Sequence, residues 1–252
     1  MIDLYNLSYQ AIAGLMVSGL MIGLSKTAVP GLGMASIPLI AMILPARAST
    51  GIVLTLLIFA DIFAVAYYRR QALWSYLVKL IPWAFMGIVA GYFMLDMIND
   101  RQLKYAIAAT ILSMLALSFW REKKDRAGGL QDGIICRWWF AALLGLIAGA
   151  STMMANAAGP ILVVYLIAMR VPKDNFIGTA AWYFFILNWV KVPFSLNLGF
   201  INSGSMSLTL ILLPSVAAGA VAGIFLLKKI PERSFNNAVK LLTLAAAIKL
   251  LF

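Results

Sequence analysis

Histidine is absent from the 252 residues, and cysteine occurs once, at Cys136. The first absence excludes imidazole metal sites, Ser-His and Cys-His nucleophile pairs and histidine proton relays. The second excludes an intrachain disulfide. Acidic residues are scarce too: nine Asp and Glu in all, mostly in loops between apolar runs. The chain is therefore expected to have no catalytic centre, no metal and no cofactor. The opening "MIDLYNLSYQ" lacks the positive stretch of a cleaved signal peptide, so the apolar run after it reads as a first helix.

What the chain does have is apolar residues. They make up 63% of it against 12% charged, with a mean hydropathy of +0.94, whereas a soluble domain is about half apolar and a quarter charged. Leu4 to Ser25, Thr27 to Ala46 and Trp138 to Met169 carry no charge. Runs of this length read as helices in a bilayer, so lipid is the expected surroundings and the cytoplasmic (inner) membrane the expected location. The formal charge of +11 does not point to nucleic acid. Lys and Arg gather in short cytoplasmic loops of membrane proteins, and no basic domain stands outside the membrane to hold a nucleic acid.

The sequence also repeats itself. "GLMIGLSKTAVPGLG" (Gly19–Gly33) aligns with "GLIAGASTMMANAAG" (Gly145–Gly159). Further on, Gly51 falls on Gly178 and Asp61 on Asn188. Pro82, Gly87 and Gly91 fall on Pro214, Gly219 and Gly223, and "NDRQL" falls on "PERSF". Chance glycine matches are common in membrane helices, but a series in unbroken order reads as duplication. Each half holds about five apolar segments, near 8–25, 33–45, 49–68, 76–96 and 103–120, then 138–150, 159–170, 175–197, 206–227 and 235–252. The expected organisation is a first membrane repeat over 1–120, a cytoplasmic linker over 121–137 and a second membrane repeat over 138–252. The fold class is an all-α integral membrane protein.

Five segments is an odd number, so the second half is expected to be inverted. With the N-terminus outside, the inside loops collect Lys26, Arg69, Arg70, the cations of Arg121–Arg137, Arg170, Lys173, Lys228, Lys229 and Arg233. The outside loops keep Arg47, Arg101 and Lys104. That asymmetry fits the positive-inside rule and leaves both termini outside. Whether the short segments cross fully or re-enter stays open, and three segments per half would preserve the inversion.

Each half is broken near its start, at "SKTAVPGLG" (Ser25–Gly33) and around Ser151–Gly159. The segment after the first break, Met34 to Leu44, reaches only ~16 Å at 1.5 Å per residue, about half of a ~30 Å hydrocarbon core. Broken helices at matching places in two inverted halves point to a transporter's central site. A helix that starts at membrane depth offers free amides and the positive end of its dipole, which suits an anion. Gly31, Gly33 and Gly159 lie at such starts, with Pro160 suited to a first turn. Ser25, Thr27, Ser151, Thr152 and Asn156 could add side-chain donors. Lys26 either contacts the anion or reaches out to the surface.

Two further charges lie inside apolar runs. Asp61, in "LLIFADIFAV", is a candidate for coupling to protons or else a structural partner in the bundle. Lys191 shares a helix face with Asn188, three residues before it. Both are candidates for the anion site, although Lys191 lies late enough in its span to reach outward instead. The GxxxG patterns "GIVAG" and "GAVAG" read as helix packing inside the bundle, with a homodimer contact as the alternative.

These residues resemble a known family, the sulfite exporter TauE/SafE membrane permeases. The resemblance rests on "GLSKTAVPGLG" after a first apolar helix, on the second copy "GASTMMANAAGP" and on the segment spacing around a basic central loop. It implies a small polytopic carrier of sulfite, sulfonates or related organic anions across the cytoplasmic membrane. The second copy departs from the first: Lys26 becomes Thr152, and no proline stands between Ser151 and Gly159. The expected function is secondary transport of a small anion by alternating access. A passive anion channel and a subunit of a larger complex are the alternatives.

Overall fold

A computed structural model describes residues 7–28, 32–96, 101, 102, 105, 112, 138–169, 171 and 173–226. Eight helices are described: α1 (Tyr9–Thr27), α2 (Leu32–Ile43), α3 (Ala46–Tyr68), α4 (Trp74–Asp96), α5 (Trp138–Ala155), α6 (Gly159–Ala168), α7 (Lys173–Asn197) and α8 (Ser203–Leu226). The linker 121–137 and the last 26 residues lie outside the described residues, as does nearly all of the expected segment 103–120.

The chain is an all-α membrane protein. Four described helices, α3, α4, α5 and α8, are long and apolar enough to cross a bilayer. The helices α1 and α7 are also long, at 19 and 25 residues, and carry the polar groups of the site described below. In contrast, α2 has 12 residues and α6 has 10, so they reach about 18 Å and 15 Å, roughly half of a hydrocarbon core.

Local sequence sets the helix ends. Ser8 caps α1 by accepting from the Ala11 amide at 3.2 Å. Asn202 and Ser205 cap the start of α8 reciprocally: the Ser205 amide donates to Asn202 Oδ1 at 2.9 Å, and the Asn202 amide donates to Ser205 Oγ at 2.8 Å. Gly199, at φ 70°, turns the chain after α7 in the left-handed conformation that glycine adopts without strain. Asn156, at φ 52°, does the same after α5. Asparagine is the usual second choice there, because its short amide can bond locally.

Both breaks are narrower than the sequence suggests. The α1 helix continues through Ser25, Lys26 and Thr27, and α5 continues through Ser151 and Thr152 to Ala155. The polar residues thus occupy last helical turns rather than loops. In hydrocarbon, keeping the backbone bonded within a helix outweighs the weak helix preference of Ser and Thr.

Glycine brings the helices into backbone contact. A methyl group added at Gly23 would lie 2.1 Å from the Val216 carbonyl oxygen, and one at Gly219 would lie 2.1 Å from that of Leu20, so α1 seats directly on α8. Likewise Gly87 and Gly149 hold α4 against α5, with added methyls 2.2 Å from the Leu146 oxygen and 2.0 Å from the Ala84 oxygen. "GIVAG" and "GAVAG" are therefore used inside the chain. These contacts come in corresponding sets. Gly19 faces Ser215 and Val216, while Gly145 faces Trp83 and Ala84. Gly51 faces the Phe200 carbonyl, while Gly178 faces Gln71 and the Tyr68 carbonyl. Helix α3 in turn packs on α7.

Candidate functional site

The two breaks meet at one cavity. It is lined by Ser25, Lys26 and Gly33 from the first break and by Thr152, Asn156 and Gly159 from the second. Phe184 and Asn188 of α7 and apolar residues such as Ile37 and Leu57 complete it. Its volume is about 60 Å³. One water needs about 10–15 Å³ by this measure, so the space suits a small cluster of waters or a solute of a few heavy atoms.

Helix ends set the polarity of the walls. The carbonyl ends of α1 and α5 are engaged by donors. Tyr68 donates its hydroxyl to the Thr27 carbonyl at 2.8 Å. Lys191 Nζ donates to the Thr152 carbonyl at 3.1 Å, to Thr152 Oγ1 at 3.0 Å and to Asn156 Oδ1 at 2.6 Å. An ammonium has three donors, and all three are placed. Asn156 passes the link on, giving its Nδ2 to the Thr50 carbonyl at 3.2 Å. The amide ends of α2 and α6 present Gly33 and Gly159 to the cavity. Their first-turn N–H groups lack partners within the helix.

A second cluster joins α1, α3 and α7. Lys26 Nζ lies 2.7 Å from Asp61 Oδ1, and Asn188 Nδ2 donates to Asp61 Oδ2 at 2.7 Å. The same ammonium lies 3.9 Å above the Phe184 ring. Asp61 is wholly buried, and the Lys26 side chain is 9% exposed. Only Lys26 belongs both to the ion pair and to the cavity wall.

The structure thus separates the sequence candidates. Ser25, Lys26, Gly33, Thr152, Asn156, Gly159 and Asn188 share the cavity. Asp61 and Lys191 stand one contact behind it. Neither lysine reaches outward: Lys26 turns inward to Asp61, and Lys191 is 1% exposed. Thr27 and Ser151 are not on the cavity wall. Thr27 Oγ1 bonds the Ala220 carbonyl at 2.8 Å and ties α1 to α8. Ser151 is buried in the last turn of α5, where its carbonyl accepts from the Ala157 amide at 3.3 Å. Gly31 lies outside the described residues.

Sequence reasoning missed Phe184, Tyr68 and Thr50. Phe184 was within reach, because it stands four residues before Asn188 and so on the same helical face. Tyr68 and Thr50 carry no local signal, since their partners are distant in the chain.

Among the described residues, no group of three or more His, Cys, Asp and Glu side chains could hold a metal ion. The cavity lies between the helix breaks, with Lys26 on its wall and Asp61 and Lys191 one contact behind it. The chain belongs to the sulfite exporter TauE/SafE family, whose profile matches residues 15–250. It is accordingly a multi-pass inner-membrane transporter and not an enzyme. Comparison with curated proteins and with solved structures gave no match.

Proposed function

We propose that the protein carries a small sulfur oxyanion, sulfite or an organosulfonate, across the membrane by alternating access. One observation carries the reading: two lysines and a single carboxyl group stand around the cavity at the two helix breaks. Protonated, Lys26 and Lys191 would supply two positive charges against the one negative charge of Asp61, and all three side chains are buried or nearly so. Lys191 has only neutral oxygens as partners. An uncompensated ammonium in a dry interior is costly, and an anion in the adjoining cavity offsets that cost. The amide ends of α2 and α6 favour the same sign. The cavity volume favours a solute the size of sulfite or a short sulfonate.

Two halves over 1–120 and 138–252, inverted about a linker at 121–137, are part of this reading. The matched glycine contacts support it: Gly19 meets Ser215 and Val216, and its counterpart Gly145 meets Trp83 and Ala84, the positions aligned with those two. So does the Asp61–Asn188 bond, which joins two aligned positions. One half rocking on the other would expose the cavity to alternate sides, and the distribution of cations supports termini on the outer side.

Flux into proteoliposomes of the purified protein tests the reading. Labelled sulfite and methanesulfonate should enter saturably and be accelerated by unlabelled anion on the far side. Equal rates with and without a proton gradient, and no such acceleration, would indicate a passive channel. Failure of the lone protein to move either anion would indicate a subunit of a larger complex.

A further inference from the structure

Lys26 pairs with Asp61 while its side chain lines the cavity, and this bears on coupling. We propose that Lys26 is an exchange switch: the transported anion and the Asp61 carboxylate compete for its ammonium, so that each bound monoanion brings one proton onto Asp61. The inference rests on the anion-transport reading above and specifies its coupling.

The geometry supports it in three ways. Lys26 Nζ is 2.7 Å from Asp61 Oδ1 while its side chain lines the cavity. An anion there meets that ammonium, and an ammonium drawn toward it leaves the carboxylate. Asp61 is fully buried, and drawing Lys26 away removes its ion-pair partner and leaves it one neutral hydrogen bond and the more distant charge of Lys191. From α7 it keeps one neutral donor, Asn188, while Lys191 on that helix has all three donors on Thr152 and Asn156. Helices α2 and α8 contain no titratable side chain, and α1 offers Lys26 and, at its far end, Tyr9. Thr209 of α8 bonds Thr55 of α3 at 2.7 Å, and both are neutral. The carboxylate therefore takes a proton, and the proton enters by the cavity that admitted the anion. Proton and anion travel in the same direction.

The charges balance. Empty, the site holds Lys26 (+1), Lys191 (+1) and ionised Asp61 (−1), a total of +1. Loaded with a monoanion (−1) and with Asp61 neutral, the total is again +1. Both forms of the carrier cross with the same charge, so monoanion transport is driven by a pH difference and carries no net current.

Methanesulfonate is the probe, because its charge does not change across the working pH range. Binding to the purified full chain is measured from pH 5 to 8, alongside flux with an imposed pH gradient or an imposed potential. Wild type should bind methanesulfonate about tenfold more weakly per pH unit on the alkaline side, the slope required when one proton accompanies one anion. Its flux should follow the pH gradient and ignore the potential. Asp61→Asn removes the competitor, so it should bind more tightly at pH 8 than wild type, with no pH slope, and should equilibrate the anion without accumulating it. Lys26→Met should lose binding. If that variant does not fold, the near-isosteric Asp61→Asn still decides. A wild-type affinity independent of pH, an unchanged pH slope in Asp61→Asn, or flux that follows the potential would overturn the switch and leave anion transport standing. Absence of any sulfite or methanesulfonate binding would overturn both.

Discussion

Lys191→Met tests whether a charge behind the wall holds the anion. The substitution keeps an unbranched apolar stem and removes the ammonium with its three bonds to Thr152 and Asn156. Lys191 Nζ stands one hydrogen bond of 2.6 to 3.0 Å behind side chains that line the cavity. An anion bonded to those side chains is then about two such lengths away, or ~6 Å. At an effective dielectric of ~20, a unit charge at that distance contributes about 2.8 kcal/mol. That corresponds to about a hundredfold in affinity. Wild type and Lys191→Met are compared by methanesulfonate titration at one pH and by thermal unfolding in the same detergent. The expected result is a dissociation constant about a hundredfold higher in the variant. The melting temperature should fall only modestly, because cavity water can replace the lost donors to Thr152 and Asn156. An unchanged affinity with a strongly lowered melting temperature would refute the reasoning and make Lys191 a strut for the end of α5.

Asn156 separates conformation from chemistry. Asn156→Gly keeps the left-handed turn at φ 52° and should weaken anion binding with little loss of stability, while Asn156→Ala should lose about 1–2 kcal/mol more on unfolding. Gly23→Ala places a methyl 2.1 Å from the Val216 oxygen and should cost ~1–3 kcal/mol as α1 is pushed off α8. Gly149→Ala should behave alike at the α4–α5 contact, and a thermal shift near zero for either would sink the backbone-contact argument. Thr27→Val removes the bond to the Ala220 carbonyl and should cost about 0.6 kcal/mol, the average for a hydrogen bond between membrane helices. Anion affinity should not change in Thr27→Val, and a titration would show it.

Some of this was legible in the residues. Long unbroken apolar runs read as helices in lipid, because the other structure that satisfies the backbone there, a closed barrel, is built from strands of about ten residues that alternate apolar and polar. Glycines and a proline between such runs mark the breaks, and the short segments that follow must end partway across. Asp61 and Lys191 could be singled out, because a charge inside an apolar run has no solvent to excuse it. Their duties could not be assigned. Lys26 was expected either at the anion or at the surface, and it turns instead to Asp61 while keeping a place on the cavity wall. Thr27 looked like Ser25 in the sequence, two positions away. On a helix that separation turns a side chain by about 200°, which sends Thr27 to α8 and leaves Ser25 facing the cavity.

By itself the sequence determined the class of element, the positions of the two breaks and the sign of the solute that helix starts favour. These depend on what a residue and its near neighbours do in hydrocarbon. Only the tertiary structure decided which charges meet, because Lys26, Asp61, Asn188, Thr152 and Lys191 lie on α1, α3, α5 and α7 and are joined by contacts across long stretches of chain. Helix packing sets those distances, and a difference of a few ångströms separates an ion pair, a wall of the cavity and a strut behind it.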